Sequence, residues 1–252
     1  MNALLLPILI IIGLNGLGFL NGYVRQTDKL TDFIYSLSFL VVAWVAYLMG
    51  GMTAPQIVLV LMITLWALRL GGYLFWRIHT FGRDKRFDQM RPNFIKLLGF
   101  WTLQTMSIMI IIAPSVIFLL LENMAHHWLM AIGGLVWLVG FVMETVADVQ
   151  KFQFIKNPKN KKQWIDEGLW RYWQHPNYVG EILCWAGLTV FVLPVVMSFG
   201  FWYVILTIAS PTWIYTLLRY ISGVPLLEQS AEKKWGDNPE YQAYKQRTRR
   251  LL

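Results

Sequence analysis

The sequence predicts an all-α integral membrane protein of seven transmembrane helices, with its N-terminus outside and its C-terminus in the cytoplasm. Three observations predict it. Of 252 residues 56% are hydrophobic and only 14% charged, and the mean hydropathy of +0.47 lies outside the range of water-soluble domains. Seven apolar runs are each near the roughly 20 residues that a helix needs to cross the hydrocarbon. Lysine and arginine then alternate between the connecting loops, as the positive-inside rule requires of cytoplasmic loops.

The spans are expected near residues 4–20, 32–49, 55–76, 100–121, 128–147, 178–194 and 201–220, followed by a cytoplasmic tail over 221–252. The first has no basic residue before it and no small-residue cleavage site after it, so it reads as a retained helix. Arg25 and Lys29 occupy loop one, six basic residues from Arg77 to Lys96 loop three, and another six from Lys151 to Arg171 loop five. Loops two, four and six have none. No repeat or linker marks a second domain, so residues 1–252 are expected to form one membrane domain, acting as a monomer. In the tail, Glu228, Glu232 and Lys233 fall at helical spacing, and Gly236-Asp237-Asn238-Pro239 makes a turn before a short helix with Tyr241 and Tyr244.

A net charge of +8 would fit nucleic acid, but the basic residues sit in short loops and the tail, where topology and anionic lipid account for most of them. Thirteen Trp and eleven Tyr suit the interfacial belts. The single cysteine, Cys184, lies in an apolar run without a partner, which excludes a disulfide framework and a thiolate metal site. The paired glycines 71–72 and 133–134 lie inside spans, so no glycine-rich phosphate loop of the Walker or Rossmann type is present.

Polar residues concentrate in three places. Glu144 and Asp148 stand four apart at the end of span five, on one helix face, followed by Gln150 and Lys151. Headgroup water could solvate them, but acids in a span normally face a bundle interior or a wet cavity. The second place is the stretch from Gly168 to Glu181, which packs Arg171, His175, Asn177, Tyr178 and Glu181 around the start of span six. Pro176 suits a first helical turn, and Asn177 and Glu181 share a face. The alternative there is structural, with His175 capping the helix and Glu181 pairing with Arg171. The third is the basic set of Arg77, Arg83, Lys85 and Arg86 in loop three with the arginines and lysines of the tail, where guanidinium forks suit the phosphates of an anionic cofactor. Two carboxylates at helical spacing also recommend themselves to a metal, but no third and fourth ligand follow. Asp32 and Tyr35 on span two, with Arg69 and Tyr73 on span three, could polarise a substrate carbonyl; Asp32 is equally placed to cap its helix.

Glu144-x3-Asp148-x-Gln150-Lys151, Gly168-Leu169-Trp170 and His175-Pro176-Asn177-Tyr178-x-Gly180-Glu181 resemble the C-terminal signature of the steroid 5-alpha-reductase family, closest to its short bacterial seven-span members. Sterol C14-reductases share a similar stretch. The resemblance is specific over about residues 140 to 250. It implies NADPH as cofactor and reduction of the carbon–carbon double bond of a membrane-soluble enone, such as a 3-oxo-delta-4 steroid, in a bacterial inner membrane with the cofactor site facing the cytoplasm. Asp148, Asn177 and Glu181 would contact the cofactor, with Arg83, Arg86, Glu144, Lys151, Arg171, His175, Tyr178 and Glu228 completing that set. A glutamate on span two and a tyrosine on span three hold the carbonyl in the animal enzymes; Asp32 with Tyr35 or Tyr73 would do so here. Glu144 stands where those enzymes have an asparagine, and His175-Pro176 replaces a Gly-Ala pair.

The isoprenylcysteine carboxyl methyltransferases, which use S-adenosylmethionine, are also similar. They share a His-Pro-x-Tyr-x-Gly stretch and a tail pattern like Gly236, Tyr241 and Tyr244. The Asn177 and Glu181 pair favours the reductase. A lipid-binding or transport protein is a third class, for which no broken-helix repeat is found.

Overall fold

Helix boundaries follow from the residues that can satisfy the terminal backbone groups. The structure is a computed structural model and describes residues 2–81, 87–88, 90–122 and 127–251. Nine α-helices occur among them: α1 Asn2–Arg25, α2 Thr31–Met49, α3 Ala54–Phe81, α4 Phe94–Leu119, α5 Trp128–Lys156, α6 Pro176–Val196, α7 Phe201–Thr216, α8 Val224–Trp235 and α9 Pro239–Arg247. Seven helical segments are long and apolar enough to cross a membrane, and the protein is an all-α integral membrane protein. Helix α4 begins six residues before the expected Phe100 because the Asn93 side chain caps it, accepting from the Lys96 amide at 3.0 Å. Helix α5 runs nine residues past the expected Ala147, to Lys156. Its 29 residues exceed what the hydrocarbon needs, so one end projects beyond the hydrocarbon.

The chain divides into two compact units, Met1–Met130 with Val192–Ser210, and Ala131–Phe191 with Pro211–Leu252. In the first, α2 packs with α1, α3 and α4 around Phe39, Val42, Ile63, Trp66 and Ile108, all buried. Leu5, Leu9, Leu17 and Val24 of α1 are exposed, as side chains that face lipid should be. Polar groups buried among these helices satisfy one another. Asn15 donates to Ser38 at 3.2 Å and accepts from Gln104 at 3.0 Å. The fully buried Gln56 amide donates to the carbonyls of Phe118, Leu119 and Leu121, supplying donors to the orphaned end of α4. Arg91, expected to be one of the loop-three topology charges, is instead buried in ion pairs with Asp28 at 2.8 Å and Asp88 at 2.7 Å.

The second unit is organised by a glycine seam. Gly133 and Gly140 on α5 meet Gly187 and Gly180 on α6, antiparallel, so closely that no Cβ fits. One added at Gly133 would stand 2.7 Å from the Gly187 carbonyl oxygen, and one at Gly140 2.7 Å from that of Gly180. Small residues let helix backbones approach in this way where lipid supplies no hydrophobic drive. The buried Cys184 thiol, 3.7 Å from the Trp137 carbonyl oxygen, lies on the same seam. A Cβ at Gly180 would also meet the Glu144 amide nitrogen at 2.5 Å. The seam therefore fixes the two polar helix ends against each other.

Candidate functional site

With α5 and α6 in contact, the acids of one helix meet the polar start of the other. Glu144 and Asp148 are buried, and Asn177 Nδ2 donates to Asp148 Oδ1 at 3.2 Å. Glu181, one turn on from Asn177, is partly buried. The segment before α6 is pinned to α5. Gly168 takes a positive φ of 58° against the Gln150 side chain, where a Cβ would stand 2.2 Å from Nε2. Gln150 Oε1 accepts from the Leu169 amide at 3.0 Å, and the buried Trp170 indole donates to the Ala147 carbonyl at 3.0 Å. Lys151 Nζ lies 4.9 Å above the Trp170 ring, a favourable cation–π arrangement.

The tail folds back over this segment. Tyr244 Oη donates to the Trp170 carbonyl at 2.9 Å, and Gln174 Nε2 donates to the carbonyls of Lys245 and Thr248. The Gln174 amide donates to the Arg249 carbonyl and the Arg249 amide to that of Tyr172, a short parallel bridge. Trp164, Trp235, Tyr241 and Tyr244 form an aromatic cluster, and the Trp235 indole donates to the Lys162 carbonyl. Burial raises both tyrosine hydroxyls above their ordinary range. Tyr241 and Tyr244 thus clamp the tail onto the loop. Leu251 packs with Val179 and Val224 beside Tyr178. The preceding Arg250 makes a two-pronged pair with Glu228.

His175 sits at the centre of these elements. It is 7% exposed, stacks on Tyr178 with ring centroids 5.5 Å apart, and has no hydrogen-bond partner on either ring nitrogen. Burial, reinforced by the positive charges of Lys151, Arg250 and Arg219, pushes the imidazole down to about 3. It is therefore neutral at physiological pH, not a positively charged cap. Arg219 lies on a π-helical segment, Leu217–Ile221, that continues α7; such bulges are frequent at functional sites.

A family model matches residues 18–248, described as protein of unknown function (DUF1295). The chain belongs to the DUF1295 family. No curated protein and no solved structure matches it. In this DUF1295 chain the structure brings together Glu144, Asp148, Lys151, His175, Asn177, Tyr178 and Glu181, all within the second unit. Arg171 is exposed, and the Glu228 carboxylate is engaged by Arg250. Arg83 and Arg86 lie outside the described residues. Asp32, Tyr35 and Tyr73 belong to the first unit. Asp32 is the second residue of α2 and not its N-cap, which is Leu30; it stands 3.6 Å from Arg77, both partly exposed. The pocket lined by Asp32, Asp28, Lys29 and Arg77 includes neither tyrosine. Tyr35 packs edge-on against Phe39, and Arg69 covers the Tyr73 ring. No group of three potential metal-ligating side chains occurs among the described residues.

Sequence reasoning missed Arg219 as part of the site and named Arg250 only within the basic set of the tail. Arg219 carried one signal, a guanidinium at the end of an apolar span; Arg250 was indistinguishable from the other tail charges. The buried carboxylates, the unpartnered imidazole and the ring of cations fit a ligand that combines hydroxyl or amide donors with an anionic part.

Proposed function

We propose that this protein is an NADPH-dependent reductase of the carbon–carbon double bond of a membrane-soluble enone, a 3-oxo-delta-4 steroid or another isoprenoid or fatty enone. The supporting observation is the charge pattern of the second unit. Lys151, Arg250 and Arg219 act electrostatically on the buried His175, two residues before the Asn177 that donates to Asp148. Cations suit the phosphates of a dinucleotide, and buried carboxylates accept from its ribose hydroxyls and amide. S-adenosylmethionine bears a sulfonium and no phosphate, so three nearby cations disfavour it. Tyr241 and Tyr244, whose spacing resembles the methyltransferase tail, are spent on the clamp.

The cofactor supplies a hydride. In this reading Glu144, Asp148, Asn177 and Glu181 bind and orient it. Lys151, with Arg171, balances its charge, and the family resemblance gives Arg83 and Arg86 the same role. Glu228 holds Arg250 in place. The family resemblance gives the carbonyl-polarising role to Asp32 with Tyr35 or Tyr73, a phenol or acid proton offsetting the negative charge that develops on oxygen. In this reading the site faces the cytoplasm of a bacterial inner membrane, which the alternating loop charges support for the α5 end and the tail.

Binding by the detergent-purified protein tests this. NADPH is expected to bind and S-adenosylmethionine not; the opposite result overturns the reductase. Turnover of an enone panel with NADPH, followed at 340 nm, would then define the substrate. Asp32→Asn is expected to lower turnover more than NADPH affinity, and a variant with the wild-type rate removes Asp32 from the reaction.

A further inference from the structure

A neutral imidazole offers one N–H and one bare nitrogen. In His175 both are buried and neither has a partner, a costly state for a protein to keep. The surroundings explain why the ring stays uncharged and where a ligand would meet it. Tyr178 covers one face of the ring. Gly223 presses the end of the π-helical segment against Tyr178, where an added Cβ would stand 3.0 Å from Cε2, and Arg219 lies one turn before it. Arg250 adjoins Leu251, which packs in the cluster that holds Val179 and Tyr178. Lys151 follows, on α5, the aspartate that Asn177 grips. Lys151, Arg250 and Arg219 thus act electrostatically on His175 from three elements.

We propose that His175 is a ligand-contact residue that reads an uncharged donor–acceptor edge of the dinucleotide, while the surrounding cations take its anionic part. The proposal rests on the NADPH reading and adds to it a specificity residue. Two parts of NADPH carry such an edge, the nicotinamide carboxamide and the adenine.

Two analogues separate them, one with 3-acetylpyridine in place of nicotinamide and one with hypoxanthine in place of adenine. Their dissociation constants and that of NADPH are measured with wild type, His175→Phe and His175→Gln in detergent. Wild type is expected to bind one analogue about five- to ten-fold more weakly than NADPH, the worth of a neutral hydrogen bond. His175→Phe is expected to bind NADPH weaker by the same factor and to lose the discrimination, which a purely structural histidine would not control. His175→Gln, which keeps a neutral donor and acceptor, should recover part of it. If His175→Phe binds NADPH and both analogues as wild type does, the inference is overturned and the cofactor reading stands. Should His175→Phe not fold, a wild type that binds all three ligands equally overturns it. Failure of wild type to bind NADPH removes both.

Discussion

At the scale of single residues, the His175 ring gives the protein a specific acid sensitivity. Folded, it titrates at about 3; unfolded, at the ordinary 6.5. Between those values the unfolded chain binds more protons, so stability is complete above pH 6.5 and falls as the pH drops toward 3. The loss at pH 5 is about 2 kcal/mol, from 1.36 kcal/mol per unit. Thermal melts in detergent at pH 7.5 and pH 5 should show it, and His175→Gln should melt with that component missing. An equally acid-sensitive His175→Gln would assign the effect to other groups. Asn177 acts differently, by holding Asp148. Asn177→Ala and Glu181→Gln are expected to abolish NADPH binding while leaving a monodisperse, helical protein. Unchanged affinity in either would move the cofactor elsewhere.

At the scale of elements, the glycine seam decides whether these residues meet. Gly180→Val would drive a branched side chain into the backbone of α5 at Glu144. Overpacking of a close-packed contact costs roughly 1–3 kcal/mol, so the variant should melt earlier and lose NADPH binding as well. Gly134→Val, with nothing within 4 Å of its Cβ, is the control and should do neither. Arg91 provides a comparable test in the first unit. Arg91→Met removes the guanidinium that pairs with Asp28 and Asp88, and for the Asp28 pair, which is buried, the loss is roughly 3–5 kcal/mol. A melt within experimental error of wild type would show that water replaces it. Part of this was legible in the sequence. The acids of α5 and the stretch from His175 to Glu181 announce themselves locally, whereas the seam glycines read only as not forming a phosphate loop. Their pairing is not legible, because which glycine faces which depends on helix register and approach. The neutrality of His175 depends first on its burial, to which Lys151 and then Arg250 and Arg219 add, the last two brought in by a tail bridge and a π-bulge that have no sequence pattern of their own. Arg91 misled for the same reason, since a loop arginine and a buried one look alike until Asp28 is seen beside it.

At the scale of the whole molecule, the seven spans were legible because each is an apolar run closed by charge or by a turn, and hydrocarbon leaves the backbone no alternative to helix. Their orientation is predicted from the loop charges alone, and the chain provides the means to test it. Its one cysteine, Cys184, is buried, so the native protein should resist a membrane-impermeant maleimide and serve as its own background. Met52 and Met197, both 56% exposed, adjoin loops without basic residues, whereas Lys159 stands among the lysines of loop five. If the basic loops are cytoplasmic, intact cells should be labelled at Met52→Cys and Met197→Cys, and Lys159→Cys should react only after permeabilisation. The reverse pattern would turn the protein over, placing the His175 pocket away from the cytoplasmic NADPH pool and removing the proposed reaction with it. Agreement would leave that pocket on the side where an anionic dinucleotide is available.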